Sequence, residues 1–295
     1  MSGERFDIAA PPPETRWNVL SLGAGVQSST LALMAAHGEV GPRLDAAVFA
    51  DTQAEPRAVY RWLDWLEGEV ARLPFAFPIL RVTAGSLRHT ALTMRTTADG
   101  RVFSKVDVPL FTRNHDGSGG MVTHRNCTRD YKLRPLSKAT RAFCGVPRGT
   151  KVPVVTQWIG ISWDEIQRVK DSREPWAQNR YPLVERRLRR SDCLTWMRDH
   201  GYPEPPRSAC EFCPFHSDAE WRRLKTEDPE AFARAVQFEA DLQYVKGQSE
   251  NFRTTPYLHS SLRPLGEVDF SSPEDRGQLA LWQTFEVECE GMCGV

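Results

Sequence analysis

Val19-Leu-Ser-Leu-Gly-Ala-Gly-Val-Gln-Ser-Ser-Thr-Leu-Ala-Leu33 decides how this chain folds. Its apolar opening suits a buried strand, with Trp17–Leu22 as the span. A Gly/Ser turn follows. Ser28–His37 then reads as a helix that Gly38 stops. Gly23 and Gly25 lack a Cβ, which predicts positive φ and a close approach of backbone to ligand. Ser28 and Ser29 fall near the helix start, where unpaired N–H groups and the helix dipole favour an anion. The expected ligand is a phosphate.

Working outward, Asp45-Ala-Ala-Val-Phe-Ala-Asp-Thr reads as a second strand with a polar end. Asp51, Thr52 and Glu55 stand where strand-end ligands collect in a parallel sheet. Across Glu55–Leu73, the residues Val59, Trp62, Leu63, Leu66 and Val70 share one helical face and read as core. Phe77–Val82 is a third strand. Strand alternating with helix predicts an open, mostly parallel twisted sheet with helices on both faces. Beyond Thr83 the pattern breaks. Thr97-Ala-Asp-Gly-Arg is a turn, and Asn114-His-Asp-Gly-Ser-Gly-Gly is either a surface excursion or an active-site cover. A basic helix is expected from Arg125 to about Phe143, carrying Cys127, Arg129, Lys132 and Arg134. Val152–Ile161 is a fourth strand. It ends in Gly160-Ile-Ser-Trp-Asp-Glu, and Ser162, Asp164 and Arg168 are candidates for the ligand crevice.

Residues 1–16 read as a flexible arm, interrupted by Pro11-Pro12-Pro13. Residues 17–175 read as a nucleotide-binding domain, and 176–295 as a helical C-terminal subdomain with a cysteine metal site and a tail. In that part Ser191 is expected to cap a short helix bearing Cys193. Ser217-Asp-Ala-Glu and Asp228-Pro-Glu start two further helices, with Phe232, Val236 and Leu242 as core.

The 295 residues carry 38 Lys+Arg against 38 Asp+Glu. The whole chain is therefore no general polyanion binder, although local patches remain open. No apolar run is long enough to span a bilayer, so no membrane role is expected. Met1–Glu14 lacks an apolar core, which predicts no secretory signal and a cytoplasmic location. Seven cysteines, an odd number, argue against a disulfide framework and for metal or thiol chemistry.

Two readings of the glycine loop compete. Gly23-x-Gly25-x-x-Ser28, with Asp51 ending the next strand, imitates a dinucleotide fingerprint without its third Gly. The other reading draws on more of the chain. Gly23-Ala-Gly-Val-Gln-Ser resembles the Ser-Gly-Gly-x-Asp-Ser loop of the PP-loop adenine nucleotide alpha hydrolase superfamily. Gly25 and Ser28 match, Gln27 stands for the Asp, and Ser21 stands two residues before the position of the first Ser. Asp51-Thr-Gln-Ala-Glu resembles that family's Asp-Thr-Gly segment. Cys127-Thr-Arg-Asp-Tyr-Lys-Leu-Arg-Pro-Leu resembles the Cys-x-x-x-Lys-x-x-Pro-Leu segment of its phosphoadenosine phosphosulfate reductase-like branch. Gly160-Ile-Ser-Trp-Asp-Glu falls on a fourth strand-end loop. The resemblance runs over about Trp17–Arg168.

It implies an adenine nucleotide, ATP with Mg²⁺ in most members, held by Ser21, Gly23, Gly25, Gln27, Ser28, Ser29, Asp51, Thr52, Gly160 and Ser162. Lys132 and Arg129 would meet the anionic group. Most ATP-using members cleave between the α and β phosphates. The implied activity is an adenylating ATP pyrophosphatase in sulfur transfer or in modification of a nucleotide or nucleic acid. The alternative is a thiol-dependent sulfonucleotide reductase with a nucleophilic Cys289 (or Cys293) on its tail. A third reading is a nucleotide-binding module without turnover. A homodimer is compatible with all three.

Cys210-x-x-Cys213 is half of a metal site. Cys193 and Cys127 are the candidate partners, and four thiolates suit zinc or a 4Fe–4S cluster. The resemblance implies the cluster. The competing reading is zinc with His216 as a ligand. Cys144 reads as core.

Overall fold

The structure, a computed structural model, describes residues 11–271. The elements run β1 (Trp17–Leu22), α1 (Val26–His37), β2 (Ala46–Asp51), α2 (Arg57–Val70) and β3 (Ile79–Thr83). An excursion follows: α3 (Leu87–Ala91), β4 (Met94–Thr96), β5 (Val102–Ser104), β6 (Leu110–Arg113) and β7 (Gly119–Val122). A π-helical turn, Cys127–Leu133, leads into α4 (Arg134–Phe143) and β8 (Val155–Ile159). After a 3-10 segment, Trp163–Arg168, come β9 (Ala177–Arg180), α5 (Pro182–Glu185) and α6 (Arg190–Asp199). The chain continues through α7 (Asp218–Glu227), α8 (Pro229–Gly247) and β10 (Thr255–Tyr257).

Five parallel strands form the main sheet in the order β3-β2-β1-β8-β9. In β1, Leu20 and Leu22 enter the core that holds α1 and α2, while Val19 enters the opposite core with α4. Burial on both faces explains why the apolar residues of β1 do not simply alternate with exposed polar ones. From Val26 to Ala36 every residue of α1 is buried, because α6 covers the side turned from the sheet. Gly38 ends it in the left-handed conformation at φ 82°. On α2 the buried residues are Val59, Trp62, Leu63, Leu66 and Val70, the stripe expected from spacing. Each such side chain contributes roughly 1.5–3 kcal/mol.

The main sheet and its core continue past the expected boundary at residue 175. β9 pairs with β8 inside the main sheet, and Leu183, Cys193 and Met197 pack into the core of α1. Ala177-Gln-Asn-Arg is an edge strand with polar side chains, so it carries no apolar signal. The C-terminal part is also not purely helical. A second core joins Leu87, Leu110 and Tyr131 to Phe212, Trp221, Phe238 and Leu258. A three-stranded sheet, β10-β6-β7, binds the excursion to the later helices. The glycine-rich segment at Asn114 is the hairpin turn between β6 and β7, closed by Asn114 N–H to the Ser118 carbonyl (2.9 Å).

Two cap expectations hold: Ser217 Oγ accepts from Glu220 N–H, and the Asp228 carboxylate accepts from Ala231 N–H. Ser191 is not a cap. It lies inside α6, whose N-cap is Arg189, and the Asp192 carboxylate accepts the Arg189 N–H (2.8 Å). The arm is anchored at its described end: Thr15 Oγ1 lies 2.8 Å from Thr156 Oγ1, and Gln178 Nε2 donates to the Pro13 carbonyl. No helix among the described residues is long and apolar enough to cross a membrane.

Candidate active site

Strand order reverses between β1 and β8, because β2 and β3 lie on one side of β1 and β8 and β9 on the other. Ligands of open α/β sheets collect outside the strand ends at such a point. Here the Gly23–Gly25 turn and Gly160–Ser162 stand side by side. Gly25 is the N-cap of α1, and among the described residues no side chain caps the first N–H groups of the helix. Gly160 approaches that start so closely that a Cβ on it would lie 2.8 Å from Ser28 Cα. The residue in the left-handed region is not a glycine: Ala24 takes φ 59°, while Gly25 sits at φ −90°. Positive φ thus falls on Ala24, and the close backbone approach is made by Gly160.

The serines divide. Ser28 Oγ accepts from Gly23 N–H (3.2 Å) and knits the turn to the helix start. Ser29 Oγ points into the core and accepts from Trp62 Nε1 (2.9 Å). Ser21 Oγ accepts from Gln157 Nε2 (2.6 Å) on the neighbouring strand. Both hydroxyls are buried and turned to protein partners in this arrangement. Position 27 is a donor: Gln27 Nε2 reaches Ser162 Oγ (3.3 Å) and Glu165 Oε2 (3.2 Å). The carboxylate that the loop lacks thus stands beside it, supplied by Glu165, which also pairs with Arg168. Asp164, the neighbour expected at the ligand crevice, instead accepts from Arg190 N–H through its carboxylate (3.3 Å).

At the end of β2, Asp51 Oδ1 is held by Gln53 N–H (2.7 Å) and the Tyr60 hydroxyl (2.8 Å). Burial, together with this carboxylate, pushes the Tyr60 phenol up, so it stays a donor. Thr52 is fully buried and turns towards the cysteines. Its Oγ1 donates to Glu55 Oε1 (3.4 Å) and lies 3.4 Å from Cys210 Sγ. Lys132 Nζ lies 3.6 Å from the same Glu55 oxygen. Glu55 Oε2 is buried with no hydrogen-bond partner among the described residues. The π-helical turn brings Lys132 and Cys127 to this side together.

Cys127, Cys210, Cys213 and Lys132 line one mostly apolar cavity of about 60 Å³. Burial raises the thiols of Cys127 and Cys210, and the nearby Lys132 cation opposes that in both. Cys193 does not join them. It is buried against α1 in the first core, where burial pushes its thiol up to about 12. Its spacing from Cys210 suggested a ligand, but its helical position among Leu183 and Met197 makes it a packing residue. His216 Nε2 donates to the Cys210 carbonyl (3.0 Å), and burial lowers its pKa to about 4. Among the described residues no group of three or more His, Cys, Asp or Glu donors converges on one ion, so the expected four-thiolate set is not assembled. Cys289 and Cys293 lie outside the described residues. Cys144 is core, as expected.

Arg129 is turned elsewhere. It is exposed, pairs with Asp130 (2.9 Å) and lines a separate cleft on the α4 face. The expected pair of anion-binding cations is therefore split between two cavities, because the π-helical turn sends residues 129 and 132 to different sides.

Compared with known proteins, the chain matches no family model and no curated sequence. The fold and the site define an α/β protein with an uncapped helix start at the reversal point of a parallel sheet.

Proposed function

We propose that the chain is a PP-loop ATP pyrophosphatase that adenylates an acceptor, a nucleotide or nucleic acid, or acts in sulfur transfer. The observation that carries this reading is the uncapped start of α1 meeting Gly160 at the sheet's reversal point. N–H groups and the helix dipole there favour the phosphates of an adenine nucleotide. They are fixed before the ligand arrives, so they stabilise charge on a leaving pyrophosphate without reorganising. Mg²⁺ bound with ATP would supply further charge stabilisation at the phosphates. Glu165 and Gln27 hold the strand-end loop of β8 against the helix start, and Lys132 supplies a cation fixed by Glu55.

Cys127, Cys210 and Cys213 line one cavity beside Lys132 without forming a converged ligand set, and a zinc or 4Fe–4S centre there would require these thiols to draw together around it. Iron and zinc content of anaerobically purified protein tests this. Stoichiometric metal lost on Cys210→Ser supports it, and metal-free folded protein refutes it.

The activity is tested by incubation with ATP and Mg²⁺ and analysis of the products. AMP and pyrophosphate, or an adenylated acceptor with pyrophosphate, support the reading. ADP and orthophosphate contradict it. The reductase alternative needs Cys289, and no observation among the described residues favours it.

A further inference from the structure

The cleft that takes Arg129 has a volume of about 470 Å³, within the roughly 300–1,000 Å³ of ligand-sized clefts. One wall is α4 and the residues leading into it. The other is the crossover segment 170–174 that returns from β8 to β9. The floor is Gln157 and Asn179, a cross-strand pair of the main sheet. Six cations line it (Arg129, Arg134, Lys138, Arg141, Lys170 and Arg173) against two carboxylates, Asp171 and Glu174. In a chain with equal totals of 38 and 38, this is a local concentration of positive charge.

Half of that charge is committed and half is not. Asp130 compensates Arg129 (2.9 Å) and Arg134 (2.7 Å). Arg141 donates to the Val146 and Pro147 carbonyls. Lys138, Lys170 and Arg173 are exposed and pair with no carboxylate among the described residues. Glu174 does not neutralise them, because its oxygens accept from Ser137 Oγ (2.7 Å) and Trp176 Nε1 (2.9 Å). The floor is polar. Gln157 Nε2 is spent on Ser21, and Asn179 Nδ2 on the Lys170 carbonyl (2.9 Å), which leaves both amide oxygens as acceptors. Cations on both walls with hydrogen-bond acceptors beneath suit a phosphodiester backbone with one base directed inward. A duplex is too wide for a cleft of this volume.

We infer that this cleft binds single-stranded, or locally extruded, nucleic acid. Calling that strand the acceptor rests on the adenylating reading above. The binding itself does not.

The test is fluorescence anisotropy of a short labelled single-stranded oligonucleotide, titrated with the full chain without ATP. Binding should saturate, and log K should fall linearly with log salt, by about 0.7 per phosphate contacted. The variant Lys170→Ala/Arg173→Ala should bind roughly tenfold more weakly with a shallower salt slope. Lys151→Ala, an exposed cation outside the cleft, should bind as wild type does. No binding, or equal weakening by Lys151→Ala, overturns the inference. Displacement of the oligonucleotide by ATP alone also overturns it, since the cleft would then hold a mononucleotide. Pyrophosphate release is scored separately. Oligonucleotide binding without ATP cleavage removes the adenylating reading and keeps the cleft, and the converse removes only the cleft.

Discussion

Gly160 presses on the backbone of Ser28: a Cβ at position 160 would lie 2.8 Å from Ser28 Cα and 2.9 Å from Ser28 N. The end of β8 and the start of α1 are thereby locked together. Any residue but glycine must move one of them, and the helix start is where the phosphates are proposed to sit.

Gly160→Ala should therefore destabilise the fold by about 1–3 kcal/mol. Gly68 gives the contrast. It lies within α2 with nothing within 4 Å of a built Cβ, so Gly68→Ala should stabilise by roughly 0.5–1 kcal/mol. Thermal unfolding of the two variants should shift in opposite directions.

Gln27 and Glu165 form the second lock. Gln27→Glu, nearly isosteric, replaces the donor with a carboxylate facing another at about the present 3.2 Å. It should cost about 1–3 kcal/mol, as for a buried acceptor that loses its donor. Glu165→Gln in the same chain should recover most of it. A double-mutant cycle by urea unfolding reads the coupling, and additive effects would show that the contact is not made.

Lys132 and Glu55 are a buried pair at 3.6 Å. Removing one charge strands the other, so Lys132→Met should cost about 3–5 kcal/mol. Lys132→Met/Glu55→Gln should be less damaging than the single change. The urea midpoint orders the three proteins.

Lys246 gives a pH signature away from the site. It is buried, its Nζ donates to Ser104 Oγ and the Lys105 carbonyl (2.8 Å), and burial lowers its pKa to about 8. The folded value lies below the ordinary one of 10.5, so the unfolded chain binds the proton more tightly between the two. The penalty is complete below about pH 8 and fades as pH rises towards 10.5, a gain of about 3 kcal/mol at most. Unfolding measured at both ends of that window should show the gain in wild type and not in Lys246→Met.

The main sheet was legible because β1 and β2 are rich in buried apolar residues, β3 and β8 still carry several apolar residues each, and α2 carries a stripe at helical spacing. β9 was not legible, since an edge strand of Gln178, Asn179 and Arg180 has no such run. The site was half legible. Gly25, Ser28, Gly160 and Ser162 meet where the strand ends predicted, because a parallel sheet dictates that meeting. The directions of Ser21, Ser29 and Arg129 follow from packing against Gln157, Trp62 and Asp130, which local spacing does not encode. Cys193 failed for the same reason: a thiol near a Cys-x-x-Cys pair in sequence faces a different core in space.

Amide hydrogen exchange with and without ATP and Mg²⁺ tests the central claim most directly. The account predicts slowed exchange in the segments 23–28 and 160–162, where the nucleotide phosphates meet the start of α1. Unchanged exchange there, or protection confined to 129–141 and 170–174, would contradict it.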